Sequence, residues 1–130
     1  MPADHIGGYE WAYDDLRRAV DAAGVALWLW HVDSNSIAMD PLGYALWDVP
    51  SDQHLTFEKL SAKIHPADRD RVRAAFSATR AVVGAYEIDF RTMVGTEIRW
   101  ISARGQGNDA GIENRQMTGV FLNITERKQA

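Results

Sequence analysis

The chain reads as an α+β domain: a five-stranded antiparallel sheet, helices grouped on one of its faces, and an amphipathic helix ahead of it. Three observations predict this. Apolar residues early in the chain recur at three- and four-residue spacing, the period of a helix with one buried side. In the last third they alternate singly, as Tyr86, Ile88 and Phe90 do against Glu87, Asp89 and Arg91, the period of a strand with one buried face. The order is one helix, two strands, short helices, one longer helix, then three strands. Such segregation suits an antiparallel sheet rather than repeated βα units.

Taken in order, residues 1–8 are expected to form a flexible lead. Over 9–24, Tyr9, Ala12, Tyr13, Leu16, Ala19, Val20 and Ala23 share a helical face opposite Asp14, Asp15, Arg17, Arg18 and Asp21, and Gly24 stops the helix. The main domain spans 25–125. Val25 to Val32 is apolar on both alternating faces until His31, which predicts a central strand covered on both sides. Asp33 to Ser36 is a turn and Ile37 to Met39 a short returning strand. Asp40-Pro41 opens a region of short helices reaching Val49-Pro50, and Thr56 caps a helix through Phe57, Leu60 and Ile64.

His65-Pro66-Ala67-Asp68 is a helix start, with Pro66 in the first turn and Asp68 near the positive end of the dipole. Val72, Ala75, Phe76 and Thr79 then share a face, and the helix frays before Gly84. Val94-Gly95 turns the next strand back into Ile98 to Ala103. Gly105 to Asn114 is a loop, Arg115 to Thr125 the final strand, and 126–130 the start of an outgoing linker.

Composition narrows the function. The chain of 130 residues is 46% hydrophobic and 25% charged, an ordinary globular balance for one domain. Its net charge of −4, with no basic block, argues against nucleic acid and anionic membrane as partners. It has no cysteine, which removes disulfides, thiolate metal sites, cysteine nucleophiles and cysteine photochemistry. No basic segment followed by an apolar run marks a signal peptide, and Val25 to Trp30 is too short to span a bilayer. A cytoplasmic module is expected.

Several segments, in this order and spacing, carry a resemblance. They are Trp28-Leu29-Trp30, His65-Pro66-Ala67-Asp68-Arg69, Tyr86 to Arg91, Arg99-Trp100-Ile101, Gly111, and Gly119 to Lys128. Together they resemble PAS sensor domains, in the subfamily with a Trp-x-Trp first strand, a His-Pro helix start and a closing Asp-Ile-Thr-Glu-Arg-Lys signature. The likeness covers roughly residues 26–128. It implies a sensing or dimerising module of a bacterial signalling protein, with a cavity between the sheet and the short helices. The partner it implies is a C-terminal effector such as a histidine kinase or a diguanylate cyclase; this domain alone is then no enzyme. By that architecture Met1 places the module first in its protein, and the stop at Ala130 precedes the effector. The sequence departs from the pattern at His31, Ala67, Val94, the spacing from Gly95 to Trp100, and Asn123. Asn123 stands for the Asp of Asp-Ile-Thr, so a hydrogen bond survives there but a charge-assisted one does not.

The resemblance assigns a candidate ligand cavity to Trp30, Met39, Phe57, Phe76, Tyr86, Ile88, Phe90, Met117, Gly119 and Phe121, with Gly119 leaving space beside the sheet. A packed core made from the same aromatic set is the competing reading. Signal relay falls to Asn123, Ile124, Thr125, Glu126 and Arg127. The apolar helix stripe of Leu16, Ala19, Val20 and Ala23, with Trp11 and Tyr13, either pairs with a second copy in a homodimer or caps the outer sheet face.

The ligand stays unknown. Haem requires an axial ligand, and of His5, His31, His54 and His65 none lies inside the helix from Pro66 to Arg80. Flavin is disfavoured by Phe121, which stands where flavin-binding relatives place glutamine. No two histidines have metal-ligand spacing. The glycines from Gly105 to Gly111 lead into a strand, unlike a dinucleotide loop, and Ser61, His65 and Asp68 lack a nucleophile elbow. Asp and Glu sit mainly at turns and on outer faces, which leaves a small α+β enzyme as the remote alternative.

Overall fold

A computed structural model of the chain describes residues 4–6, 9–81, 85–107 and 115–129. Five strands form the main sheet: β3 (Ala26–His31), β4 (Ser36–Met39), β5 (Ala85–Val94), β6 (Glu97–Gly107) and β7 (Gln116–Asn123). Their spatial order is β4-β3-β7-β6-β5, with every pair antiparallel. The α+β class and the five-stranded antiparallel sheet are therefore as the periodicity predicts.

Between β3 and β5 run α2 (Pro41–Trp47), α3 (Phe57–Ser61) and α4 (Pro66–Ala81). Each starts where its sequence says. Asp40 accepts a hydrogen bond from the Gly43 N–H at 3.0 Å, and Thr56 accepts one from the Lys59 N–H at 3.2 Å. Pro66 occupies the first turn of α4. The core lies between these helices and the inner sheet face, where Trp28, Trp30, Trp47, Phe90, Ile101 and Phe121 are all buried.

The N-terminal expectations need correction. Asp4–Ile6 (β1) pairs with Tyr9–Trp11 (β2) in a separate two-stranded sheet, so the lead is not wholly irregular and Trp11 belongs to a strand. The helix α1 spans Tyr13–Ala23 and ends at Gly24 in the left-handed conformation, with φ of 70°. Asp15 sets its start: the carboxylate accepts from the Ala12 N–H at 3.1 Å and holds Ala12 outside the helix.

Further boundaries shift for physical reasons. α3 stops at Ser61 because the next residues join the sheet edge. Ile64 bridges to Thr92, and the His65 N–H donates to the Arg91 carbonyl at 2.9 Å. β6 continues to Gly107, past the expected loop start at Gly105, because Gly105, Gln106 and Gly107 pair with Gly119, Thr118 and Met117. The rest of that loop, with Gly111, and the helix end before Gly84 lie outside the described residues. β7 ends at Asn123 rather than Thr125, and Thr125–Gln129 forms a short exit helix, α5.

β3 is buried only on its inner side. Ala26, Trp28 and Trp30 are buried, while Leu27, Leu29 and His31 are half-buried, so the expected two-sided cover is incomplete. α1 buries none of its residues.

Candidate functional site

Each element contributes large rings to one interior. β3 supplies Trp28 and Trp30, α2 Trp47, α3 Phe57, α4 Phe76, β5 Phe90 and β7 Phe121. The rings touch in sequence. Trp28 stacks on Phe121 at 5.7 Å between centroids, and Trp47 meets Phe121 edge-on at 5.5 Å and Phe90 at 5.7 Å. Trp30, Phe57 and Phe76 form a second group, with Phe57 and Phe76 4.7 Å apart. Among them remains a void of about 20 Å³, completed by Ile37, Leu60, Ser61, Ile64 and Val72. That is room for about one water molecule.

Five of the ten sequence-predicted cavity residues line this void: Trp30, Phe57, Phe76, Phe90 and Phe121. The others do not. Met39 packs against Gly43 and faces an outer cleft. Tyr86 lies behind Phe76, and Ile88 and Met117 belong to the surrounding core. Gly119 does not leave space. The Trp28 ring fills it: a Cβ on Gly119 would stand 2.6 Å from the ring, and one on Gly105 would stand 2.5 Å from it. The Trp28 indole N–H donates to the Val120 carbonyl at 3.1 Å and fixes the ring across the strands.

Trp47 is one of the lining residues the sequence reading missed, with Trp28 and the aliphatic side chains of α3 and α4 among the others. It lies in the short-helix region after Asp40-Pro41, where Gly43, Leu46 and Trp47 are buried at i, i+3 and i+4, a readable helical face. Its indole nitrogen is buried without a hydrogen-bond partner, as is the Tyr86 hydroxyl, whose ionisation burial pushes up.

A polar cleft of about 180 Å³ adjoins the void, lined by Trp30, Asn35, Phe57, Glu58, Arg73, Phe76 and Ser77. Asn35, at φ of 52°, organises it. Its side-chain oxygen accepts from the Trp30 indole at 3.1 Å and the Phe57 N–H at 3.2 Å, and its amide donates to Glu58 at 2.6 Å. That bond holds the Glu58 carboxyl below its ordinary range. Among the described residues no three His, Asp or Glu side chains gather as a metal site.

The exit peptide is tied to the sheet. The Ile124 N–H donates to the Trp100 carbonyl at 2.9 Å, and Ile124 is buried. The Thr125 hydroxyl accepts from the Trp100 N–H at 3.0 Å and donates to the Asn123 side-chain oxygen, which also accepts from the Thr125 N–H at 3.1 Å. Asn123, Ile124 and Thr125 thus form one network; Glu126 and Arg127 are exposed.

Lys128, outside the predicted relay set, lies 4.8 Å from the Trp100 ring centroid. The Arg91 guanidinium lies 5.3 Å from the same centroid. Arg91 in turn is bound by Asp68 at the start of α4, through the Arg91 N–H at 2.9 Å, Nε at 3.0 Å and Nη2 at 2.8 Å. These bonds hold the Asp68 carboxyl down at about 2. A chain of contacts therefore joins α4, which walls the void, to α5.

On α1, Tyr13 and Leu16 are exposed at 76% and 43%, Ala19 and Ala23 are also exposed, and Val20 is half-buried. Among the described residues no helix is long and apolar enough to cross a membrane.

No protein-family model matches the chain. It is 31% identical over 120 residues to the Non-motile and phage-resistance protein of Caulobacter vibrioides, covering 88% of this chain and 14% of that protein. It is 29% identical over 124 residues to the Sensor protein FixL of Bradyrhizobium diazoefficiens, covering 89% of this chain and 23% of that one. The chain therefore spans under a quarter of either relative. Among solved structures, a sensory box histidine kinase/response regulator from Burkholderia thailandensis superposes with a TM-score of 0.68 at 29% identity, over 88% of this chain and 87% of that one. The N-terminal domain of a diguanylate cyclase with PAS/PAC sensor from Marinobacter aquaeolei gives 0.69 at 16% identity, over 80% and 98%.

Proposed function

We propose that this chain, which has the PAS fold, is a cytoplasmic sensory module of a larger signalling protein. It takes up a small ligand or partner signal and passes it through α5 to a C-terminal effector such as a histidine kinase. By itself it is proposed to catalyse nothing. The likeness to sensory histidine kinases and to a sensor protein supports this reading. One observation carries it: Phe121, which lines the void, stands two residues before Asn123, which holds Thr125 and the start of the exit helix. Anything that displaces Phe121 pulls on that network. A ligand acts on it only by binding two arrangements of ring and helix with different affinity.

Amide exchange at residues 122–128 during titration tests the relay. Saturable binding with unchanged protection there would remove it.

A second reading, a ligand-free dimerisation module, is favoured by the small size of the void and by the bare apolar stripe of α1. In both readings the homodimer is proposed to form through α1. Equilibrium sedimentation separates them: on the second reading the dimer is the whole function and no small molecule changes its constant.

A further inference from the structure

We infer that the polar cleft beside the void is a site for a small zwitterion, an α-amino acid with an apolar side chain. Glu58 takes its ammonium group and Arg73 its carboxylate. This rests on the ligand-sensing reading and deepens it by naming the class of ligand. The cleft holds about 180 Å³ as it stands, with Glu58, Arg73 and Ser77 exposed along it, so nothing has to move to admit a molecule. An apolar cavity of about 150 Å³ takes one benzene ring, which sets the size of the occupant.

The charges are placed by separate elements, Glu58 by α3 and Arg73 by α4. Glu58 is held in position: the Asn35 amide donates to one carboxylate oxygen at 2.6 Å, and an ionised carboxylate accepts further bonds. Arg73 lies near enough to favour the ionised form of Glu58. Yet among the described residues Arg73 forms no hydrogen bond and no ion pair. Two opposite charges that share a cleft without meeting suit a ligand that bridges them. A ligand with only an ammonium group would face Arg73, and one with only a carboxylate would face Glu58. A zwitterion pairs both, and the planar guanidinium binds a carboxylate through two parallel bonds.

The remainder of the lining fixes what the zwitterion carries. Phe57 and Phe76 are half-buried with their rings 4.7 Å apart, and together with Trp30 they give the cleft an aromatic wall. An apolar side chain rests against such a surface. The same three rings also line the void, where Phe121 stands. A molecule seated in the cleft therefore touches the aromatic core from outside, without entering it.

The test titrates L-phenylalanine, phenethylamine and 3-phenylpropanoate into ¹⁵N-labelled protein. The second probe lacks the carboxylate and the third lacks the ammonium group. Binding is read at the Trp30 indole N–H and the Asn35 side-chain amide, two groups joined at the cleft by a hydrogen bond. Phenylalanine is expected to bind about fivefold or more tighter than either single-charge probe. Glu58→Gln keeps an acceptor for Asn35 and should erase the preference over 3-phenylpropanoate while sparing that over phenethylamine. Arg73→Gln should do the reverse. Both side chains are exposed, so neither substitution endangers the fold. Equal binding of all three probes by the native protein, or a preference that survives the substitution meant to erase it, overturns the zwitterion assignment. Phenylalanine that moves neither signal up to its solubility limit overturns it too. Each of those results leaves ligand sensing standing for another molecule. With the cleft saturated, unchanged exchange at residues 122–128 would instead keep the site and remove its part in sensing.

Discussion

A tryptophan ring lying across two strands needs bare backbone beneath it, and Trp28 finds it at Gly105 and Gly119. Gly119→Ala is therefore expected to lower stability by about 1–3 kcal/mol, the usual cost of forcing an extra carbon into a filled interior. Urea unfolding should show a lower midpoint with an unchanged slope. A change within a few tenths of a kcal/mol would mean that the ring does not sit there. The same glycine shows where sequence reading stops. A missing side chain on an inward position predicts either a hole or a neighbour that fills it. The choice depends on the pairing Trp28↔Gly119, which brings together residues far apart in the chain. Phe57, Phe76, Phe90 and Phe121 were legible because helical or strand spacing turns each one inward without any knowledge of a partner. Asp68 gives a prediction with a pH window. Arg91 holds its carboxyl at about 2, below the ordinary 3.8, so the pair stabilises the fold fully above about pH 4 and loses that contribution as pH falls toward 2. Asp68→Asn should cost about 2 kcal/mol near neutrality, and its stability should converge on that of the native protein between pH 4 and pH 2. A gap independent of pH would contradict the assignment.

Elements declare their beginnings better than their ends in this chain. Asp40, Thr56 and Pro66 mark three helix starts directly, since a cap or a first-turn proline acts on its own next few residues. The end of α3 and the extension of β6 depend on pairing with β5 and β7, and local pattern carries no such information. α1 misleads for a related reason: Tyr9 fits the helical stripe and Trp11 flanks it, although both belong to β2, and Asp15 closing on Ala12 marks the true start. The exit helix α5 is short enough that its capping network decides whether it forms. Two substitutions should move it in opposite directions. Thr125→Val keeps the shape but removes the acceptor for the Trp100 N–H and the donor to Asn123, so exchange at residues 126–129 should quicken while the sheet stays protected. Asn123→Asp makes the same bonds charge-assisted and should slow that exchange by an amount that vanishes once the carboxylate is protonated. If both variants leave residues 126–129 unchanged, the network does not hold the helix, and the relay loses its physical basis.

At the scale of the whole molecule, the side of the domain away from the core is unfinished. Leu27 and Leu29 are only half-covered on the outer face of β3, and α1 carries its apolar stripe in the open. Leu16 at 43% exposure and Tyr13 at 76% stand beside the ion pairs that Arg17 makes with Asp21 and Asp40, at 2.7 Å and 3.0 Å. The first pair lies within α1; the second ties its polar side to the cap of α2, and the apolar side faces outward. A single exposed leucine is ordinary, but a helical stripe facing outward is the arrangement that a second copy related by a two-fold axis buries on both partners at once. Leu16→Glu should then weaken the homodimer by about tenfold or more, because two carboxylates would meet near the axis, while leaving the monomer nearly as stable since Leu16 packs little within it. Sedimentation equilibrium reads the first effect and thermal unfolding, at concentrations where both proteins are monomeric, reads the second. A native protein that remains monomeric at high concentration would refute the α1 interface. An unchanged dimer in Leu16→Glu would move the interface elsewhere, with the half-covered leucines of β3 as the next place to substitute.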